Sequence, residues 1–385
     1  MVRRVRAGDG LRAVARRFGV SVSTVSLWVA RCAGQRLDRC CFADRGRGRP
    51  SNRTPPRTEQ RILRLRRQLR EQSVLGEYGP EAIQRALRQH APMRKVPSRA
   101  TITRVLQRHG ALDRSRRQRR PAPPKGWYLP AVTARRAELD SFDLIEDLKI
   151  ADGPLVSVLT AKSLHGGLVD AKVLARAGAK AVVDALLARW QRDGLPAYAQ
   201  FDNGTVFQGA HQFPDTVGRV SRLCLALGVT PVFVPPLEHG MQNLIEGFNA
   251  LWQAKVWQRH RVRSIAELQR QSDRYIAAHR AKSLAAAEAA PSRRPMPAKF
   301  TLDLQAPLRG QIVFVRRTDE AGHVRLLGRS FLVSHDWPHR LVRCEVDFNH
   351  HCIRCHALRR RTPSEQALLA TLPYRRPNKP FQGEP

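Results

Sequence analysis

The chain is poor in acid. Of its 385 residues, 68 are Lys or Arg and only 32 are Asp or Glu, which leaves a formal charge of +36. A globule so charged repels itself unless a polyanion neutralises it, so nucleic acid is the first partner to consider. A disulfide framework is missing too. The seven cysteines, Cys32, Cys40, Cys41, Cys224, Cys344, Cys352 and Cys355, are odd in number and irregular in spacing, which fits a reducing compartment. There is no apolar run of the roughly 18 residues a membrane helix needs. The opening MVRRVRAGDG has no apolar signal core, so a protein of the cytoplasm, associated with its nucleoid, is expected rather than an exported or membrane one. Hydrophobic residues are not scarce: at 42% they suffice for real cores, which excludes wholesale disorder.

The positive charge is concentrated in the first third. Residues 1–137 hold 34 basic and 8 acidic residues, and the remainder holds 34 and 24. The same third carries helix-turn-helix signals. In LRAVARRFGVSVSTVSLWVA, residues 11–30, the apolar Leu11, Val14, Ala15 and Phe18 fall at helical spacing. Gly19 then interrupts, and Ser21 is an N-cap for a second helix carrying Val22, Val25 and Trp28. Such a second helix enters the major groove, which makes Ser23, Thr24 and Ser26 candidate DNA contacts, with Arg12, Arg16 and Arg17 gripping phosphates beside them. Residues 1–42 are read as this first DNA-binding domain, and 43–57, rich in Gly, Pro and Arg, as a basic linker. Pro80 and Ser98 open two further helices within 58–112, predicting a second helix-turn-helix of winged type with Arg99 and Arg104 toward DNA. A basic, Pro-rich linker fills 113–137.

The texture then changes. Between 138 and 285 strand-like DSFDLI, PLVSVLTAKS and GGLVDAKVL precede alternating helices and strands, which predicts an α/β core with a mixed sheet. A Pro/Arg linker at 286–307, a small β-barrel at 308–372 and a disordered tail at 373–385 complete the expected multidomain layout.

Three carboxylates stand out by position: Asp143 inside the first strand of the core, Asp202 at a strand end in FDNG, and Glu246 within a helix in MQNLIEGFN. An acid in or at the end of a strand is costly unless compensated, and a hard divalent cation compensates it. Two ions about 4 Å apart can activate an attacking oxygen and stabilise a leaving one in phosphodiester chemistry. On these residues, with FDNGTVF and HGMQNLIEGFN, the chain resembles the DDE transposases of bacterial insertion sequences, which share the retroviral-integrase core.

That resemblance covers nearly the whole chain. It implies a ribonuclease H-like core, two Mg²⁺ (or Mn²⁺) ions held by Asp143, Asp202 and Glu246, double-stranded DNA as element end and target, and a homo-oligomer on DNA. It further implies strand cleavage at element ends followed by joining of the 3′-hydroxyl to target DNA. Asn203 becomes a holder of the Asp202 loop, and Asn203, Asn243 and Asn249 become candidate DNA contacts. Two departures stand out. The 44 positions from Asp202 to Glu246 exceed the family's usual spacing, and no Trp stands a short distance before the first Asp, so Asp140 and Asp147 remain rivals of Asp143. Rival functions are a decayed, DNA-binding regulator and a ribonuclease H-like nuclease without joining activity. The string HHCIRCH is read as ordinary strand residues: haem attachment needs an exported, oxidising setting, and zinc needs four converging ligands, whereas Cys352 and Cys355 fall on opposite faces of a strand.

Overall fold

A computed structural model describes residues 1–40, 54–90, 96–112, 125–151, 153–210, 213–235, 238, 240–377 and 379–383. Of the expected basic linkers, 43–53 and 113–124 lie outside the described residues, whereas 125–137 is packed, with Trp127, Tyr128, Leu129 and Val132 buried. The chain divides into two compact units, 1–61 and 62–385.

In the first unit, α1 (Val2–Arg6), α2 (Leu11–Phe18) and α3 (Val22–Arg31) close around Val14, Ala15 and Val25. The turn between α2 and α3 depends on Gly19, whose φ of 62° lies in the left-handed region that a side chain rarely adopts. Ser21 caps α3 by accepting from the Thr24 amide at 3.1 Å. Leu11 and Phe18, expected inside, are instead exposed, because this three-helix unit is too small to cover both edges of α2.

The second helical segment has α4 (Pro56–Gln72), α5 (Pro80–His90) and α6 (Arg99–Arg108). Ile62, Ile83, Leu87, Ile102, Val105 and Leu106 form its core, and Ser98 caps α6 from the Thr101 amide at 3.2 Å. No strand occurs among the described residues of this segment, so the expected wing is not seen there. A short α7 (Pro130–Thr133) follows.

Three antiparallel strands come next, β1 (Leu139–Lys149), β2 (Leu155–Ser163) and β3 (Val169–Leu174). After α8 (Ala179–Asp193) the chain returns as β4 (Tyr198–Phe201), parallel to β1. Then α9 (Thr205–Gln208) and α10 (Arg219–Ala226) lead to β5 (Thr230–Phe233), parallel to β4. The last two helices are α11 (Asn243–Trp252), which runs on into a π-helical turn at Gln253–Trp257, and α12 (Ile265–Glu288). Side chains alternate across the sheet. Phe142, Leu186, Trp190 and Phe201 pack on one face, and Ile145, Val158, Phe248, Trp252 and Tyr275 pack on the other, beneath α11 and α12. Three antiparallel strands followed by two parallel ones make up the mixed sheet expected from the sequence.

The expected barrel is corrected. Strands β6 (Gln311–Arg317), β7 (His323–Leu326), β8 (Arg329–Leu332), β9 (Leu341–Asp347), β10 (Cys352–Ala357) and β11 (Leu368–Pro373) do not close on themselves. β7 and β8 form a separate hairpin, while the other four extend the core into one nine-stranded sheet, β11-β10-β9-β6-β5-β4-β1-β2-β3. The physical reason lies in β6. Ile312, Val313, Phe314 and Val315 are all buried, a continuous apolar run that needs cover on both faces, and β6 finds it beside β5, with Phe233 stacked on Phe314 at 5.3 Å. The segment read as a linker at 286–307 is docked as well. Arg294 exchanges backbone hydrogen bonds with Leu195 at 2.7 and 3.1 Å. So is the start of the expected disordered tail: Tyr374 is buried and its hydroxyl donates to Asp215 at 3.1 Å, while Arg376 donates to the Asp215 carbonyl at 2.8 Å.

Candidate active site

The register of β1 and β4 builds the centre of the site. Leu139 pairs with Tyr198, Asp140 with Ala199 and Ser141 with Gln200. The pairing ends there, but the same offset carried two residues on aligns Asp143, inside β1, with Asp202, just past the carboxyl end of β4. Neighbouring strands lie about 4.8 Å apart, so the two acids are drawn toward each other by the hydrogen-bonding of the sheet itself.

Helix α11 delivers the third acid. Asn249, buried one turn below Glu246, donates to the Asp143 carboxylate at 2.7 Å and accepts from the Thr160 hydroxyl at 2.7 Å. Thr160 is the register partner of Asp143 on β2 and also donates to the Asp143 carbonyl, at 3.1 Å. Residues three apart share a helix face, so the contact that fixes Asn249 on Asp143 turns exposed Glu246 toward the same end of the sheet. Asp202 is held by its own turn, its carboxylate accepting from the Gly204 amide at 2.8 Å.

The electrostatics agree with this placement. Burial raises the Asp143 carboxyl, the charges of Asp202 and Glu246 add to the rise, and the Leu144 amide and Asn249 oppose it, leaving it at about 6. Among the described residues none of the three acids has an ion-pair partner, in a chain carrying +36. The donors are hard carboxylate oxygens, which is the chemistry Mg²⁺ and Mn²⁺ take. As they stand, no three acidic, His or Cys side chains among the described residues converge closely enough to grip an ion. The fit is therefore one of donor type, charge and strand position, and mutual repulsion keeps uncompensated carboxylates apart.

The rivals of Asp143 separate from it. Asp140 points to the other face, fully buried, and pairs with Arg189 at 3.1 Å and with Arg293. Burial alone would raise its carboxyl, but the two guanidiniums hold it below the usual range. Asp147 is exposed at a β-bulge between Ile145 and Leu148, with φ of 57°, and the bulge breaks the strand parity it would otherwise share with Asp143.

Two expected DNA contacts are engaged within the chain. Asn249 is buried and spends both polar atoms on Asp143 and Thr160. Asn203 donates to the Val234 carbonyl at 2.6 Å and accepts from Arg316 at 2.7 Å, so it holds the Asp202 loop instead of facing out. Asn243 stays exposed at the start of α11 and lines a cavity of about 450 Å³ with Lys125, Ser141, Lys162 and Arg360. Away from this centre, Arg12, Arg16, Arg17, Ser23, Ser26, Arg99 and Arg104 are all exposed, and Arg99 reaches Glu81 at 3.7 Å. Thr24 is half-buried in the α3 cap, 2.8 Å from the Ser21 hydroxyl. Thr160 and Arg316 were missed by the sequence reading. The signal for each was a polar group following an apolar run within a strand, Thr160 after VL in VSVLTAK and Arg316 after IVFV in QIVFVRR.

No protein-family model matches the chain, and no curated protein matches it. Solved structures do. The catalytic core domain of BIV integrase is 20% identical over 36% of this chain and 81% of its own, with a TM-score of 0.27. The HTLV-2 integrase catalytic core domain in complex with magnesium is 11% identical over 41% of this chain and 87% of its own, TM-score 0.28. A simian T-cell lymphotropic virus intasome is 12% identical over 76% of this chain and 92% of its own, TM-score 0.33. The chain's own strand order and acids, rather than these overlaps, carry the reading that follows.

Proposed function

We propose that this chain is a DDE-type DNA transposase, a polynucleotidyl transferase that cuts the ends of a mobile element and joins the freed 3′-hydroxyl to target DNA. One observation carries the reading: three carboxylates, unpaired among the described residues of a strongly basic chain, with Asp143 feeling the charges of both Asp202 and Glu246. Asp143, Asp202 and Glu246 would hold two Mg²⁺ or Mn²⁺ ions, which when bound polarise the attacking and leaving oxygens of a phosphodiester. The chain's own part is positioning. Asn249 and Thr160 orient Asp143, and the Gly204 amide orients Asp202. Exposed Arg12, Arg16 and Arg17, with Ser23, Thr24 and Ser26 on α3, would read or grip double-stranded DNA, as would Arg99 and Arg104 on α6. The working form would be a homo-oligomer on DNA, at the nucleoid. No helix among the described residues is long and apolar enough to cross a membrane.

The test uses the full chain, Mg²⁺, and duplexes taken from the DNA flanking its coding region. Expected products are nicked element ends and joined strands, both lost in Asp202→Ala. Cleavage without joining makes it a plain nuclease. Duplex binding with neither product, in the unaltered chain, makes it a regulator.

A further inference from the structure

The segment expected to be a separate barrel reaches into the site. Arg316, near the end of β6, donates through Nη1 to the carbonyls of Val315 at 2.9 Å, Phe233 at 3.2 Å and Val234 at 3.4 Å. Its Nη2 donates to the Asn203 side-chain oxygen at 2.7 Å. Asn203 in turn donates to the same Val234 carbonyl at 2.6 Å. The ends of β4, β5 and β6 are thereby joined through one guanidinium, immediately beside Asp202. Among the described residues Arg316 has no carboxylate partner. Its planar fork is spent on neutral oxygens, an arrangement that fixes direction and neutralises no acid.

Asp202 needs such a fixture. Among the described residues its carboxylate is held by the amide of Gly204, two residues on in the same turn, which shapes the turn without anchoring it to the sheet. The Asn203–Arg316 contact supplies the anchor. We infer that Arg316 is a positioning residue of the acid site, fixing through Asn203 the loop that presents Asp202, so that a strand outside the expected catalytic core sets the affinity for divalent ions. This rests on the function proposed above, and the experiment separates the two.

The probe is Mn²⁺ on the full-length chain, followed by the electron paramagnetic resonance of free Mn²⁺ and by the rise in melting temperature it causes. The unaltered chain should bind, and Asp202→Asn should lose most of that binding. Arg316→Met and Asn203→Ala should each weaken Mn²⁺ roughly ten- to a hundredfold, the usual range for partners that orient metal ligands. The double variant should be no weaker than the worse single one, because both changes break one clamp. Arg316→Lys should stay folded yet fail to restore the affinity, since an ammonium cannot serve Asn203 and three carbonyls from one plane.

The inference is overturned by a folded Arg316→Met or Arg316→Lys that binds Mn²⁺ like the unaltered chain, or by additive losses in the double variant. Should Arg316→Met not fold, Arg316→Lys decides. If Asp202→Asn binds Mn²⁺ undiminished, the proposed metal site itself fails, whatever Arg316 does, and the inference falls with it.

Discussion

Asp140 and Asp143 lie three residues apart on one strand and face opposite sides of the sheet. Asp140 is sealed against Arg189 and Arg293, and Arg189 also reaches Asp193 at 3.6 Å, on the face where α8 packs. Among the described residues Asp143 meets neutral donors, an asparagine and a backbone amide, and feels two more negative charges. The same residue type thus does two jobs. Where guanidiniums complete it, the acid is part of the scaffold; where they are withheld, its charge is left for a cation to satisfy. In a chain with 68 basic residues, three acids that have no ion-pair partner among the described residues are what mark the site.

The comparison is tested most severely at Asp202. Asp202→Ala should cut Mg²⁺-dependent strand cleavage by roughly a thousandfold or more, because bound ions supply several kcal/mol of transition-state stabilisation. Its melting temperature should stay close to that of the unaltered chain. An active Asp202→Ala would put this acid with the scaffold. The reverse holds for Asp140→Ala, which strands Arg189 and Arg293 in the interior. Loss of a buried partner costs about 3–5 kcal/mol, read as a lowered urea midpoint. An unchanged midpoint would dissolve the distinction from the other side.

Asn249→Ala should fall between, with activity down about tenfold or somewhat more and the fold intact, since it removes an orienting bond and no ligand. The smallest effect is that of acid. Asp140 and Asp193 are both held below the usual carboxylate range, burial opposing and their arginines prevailing. A depressed acid contributes stability above its unfolded value, about 3.9, and that contribution is lost as pH falls through the folded value. Urea midpoints should therefore drop steadily below about pH 4, and Asp193→Asn should show a shallower drop. Parallel curves for the two chains would remove Asp193 from the scaffold.

Much of this was legible in the sequence, for a physical reason. Strand and helix periods are local, so β1, β4 and α11 could be placed from the pattern alone, and with them the three acids. The spacing of 59 between Asp143 and Asp202 equals the offset of the β1–β4 register, so the number read along the chain already encoded a spatial neighbour. What stayed hidden depends on partners distant in sequence. QIVFVRR reads as a strand, but only β5 decides that it joins the sheet. Helical spacing put Asn249 on the face of Glu246 without saying that this part of the face is covered. The role of Arg316 required knowing which loop its fork would meet. The tail looked disordered because nothing near Tyr374 in the chain announces Asp215.

The continuous sheet bears on incomplete copies of the gene. A reading frame ending before Gln311 leaves β5 with its outer row of amides and carbonyls bare, flanked by Phe233 with no aromatic ring from β6 against it. Such an apolar, unprotected strand is a template for joining another chain. Shortened products are expected to clump and be cleared, so a stop codon or frameshift upstream of that residue should silence the protein and leave little soluble core fragment.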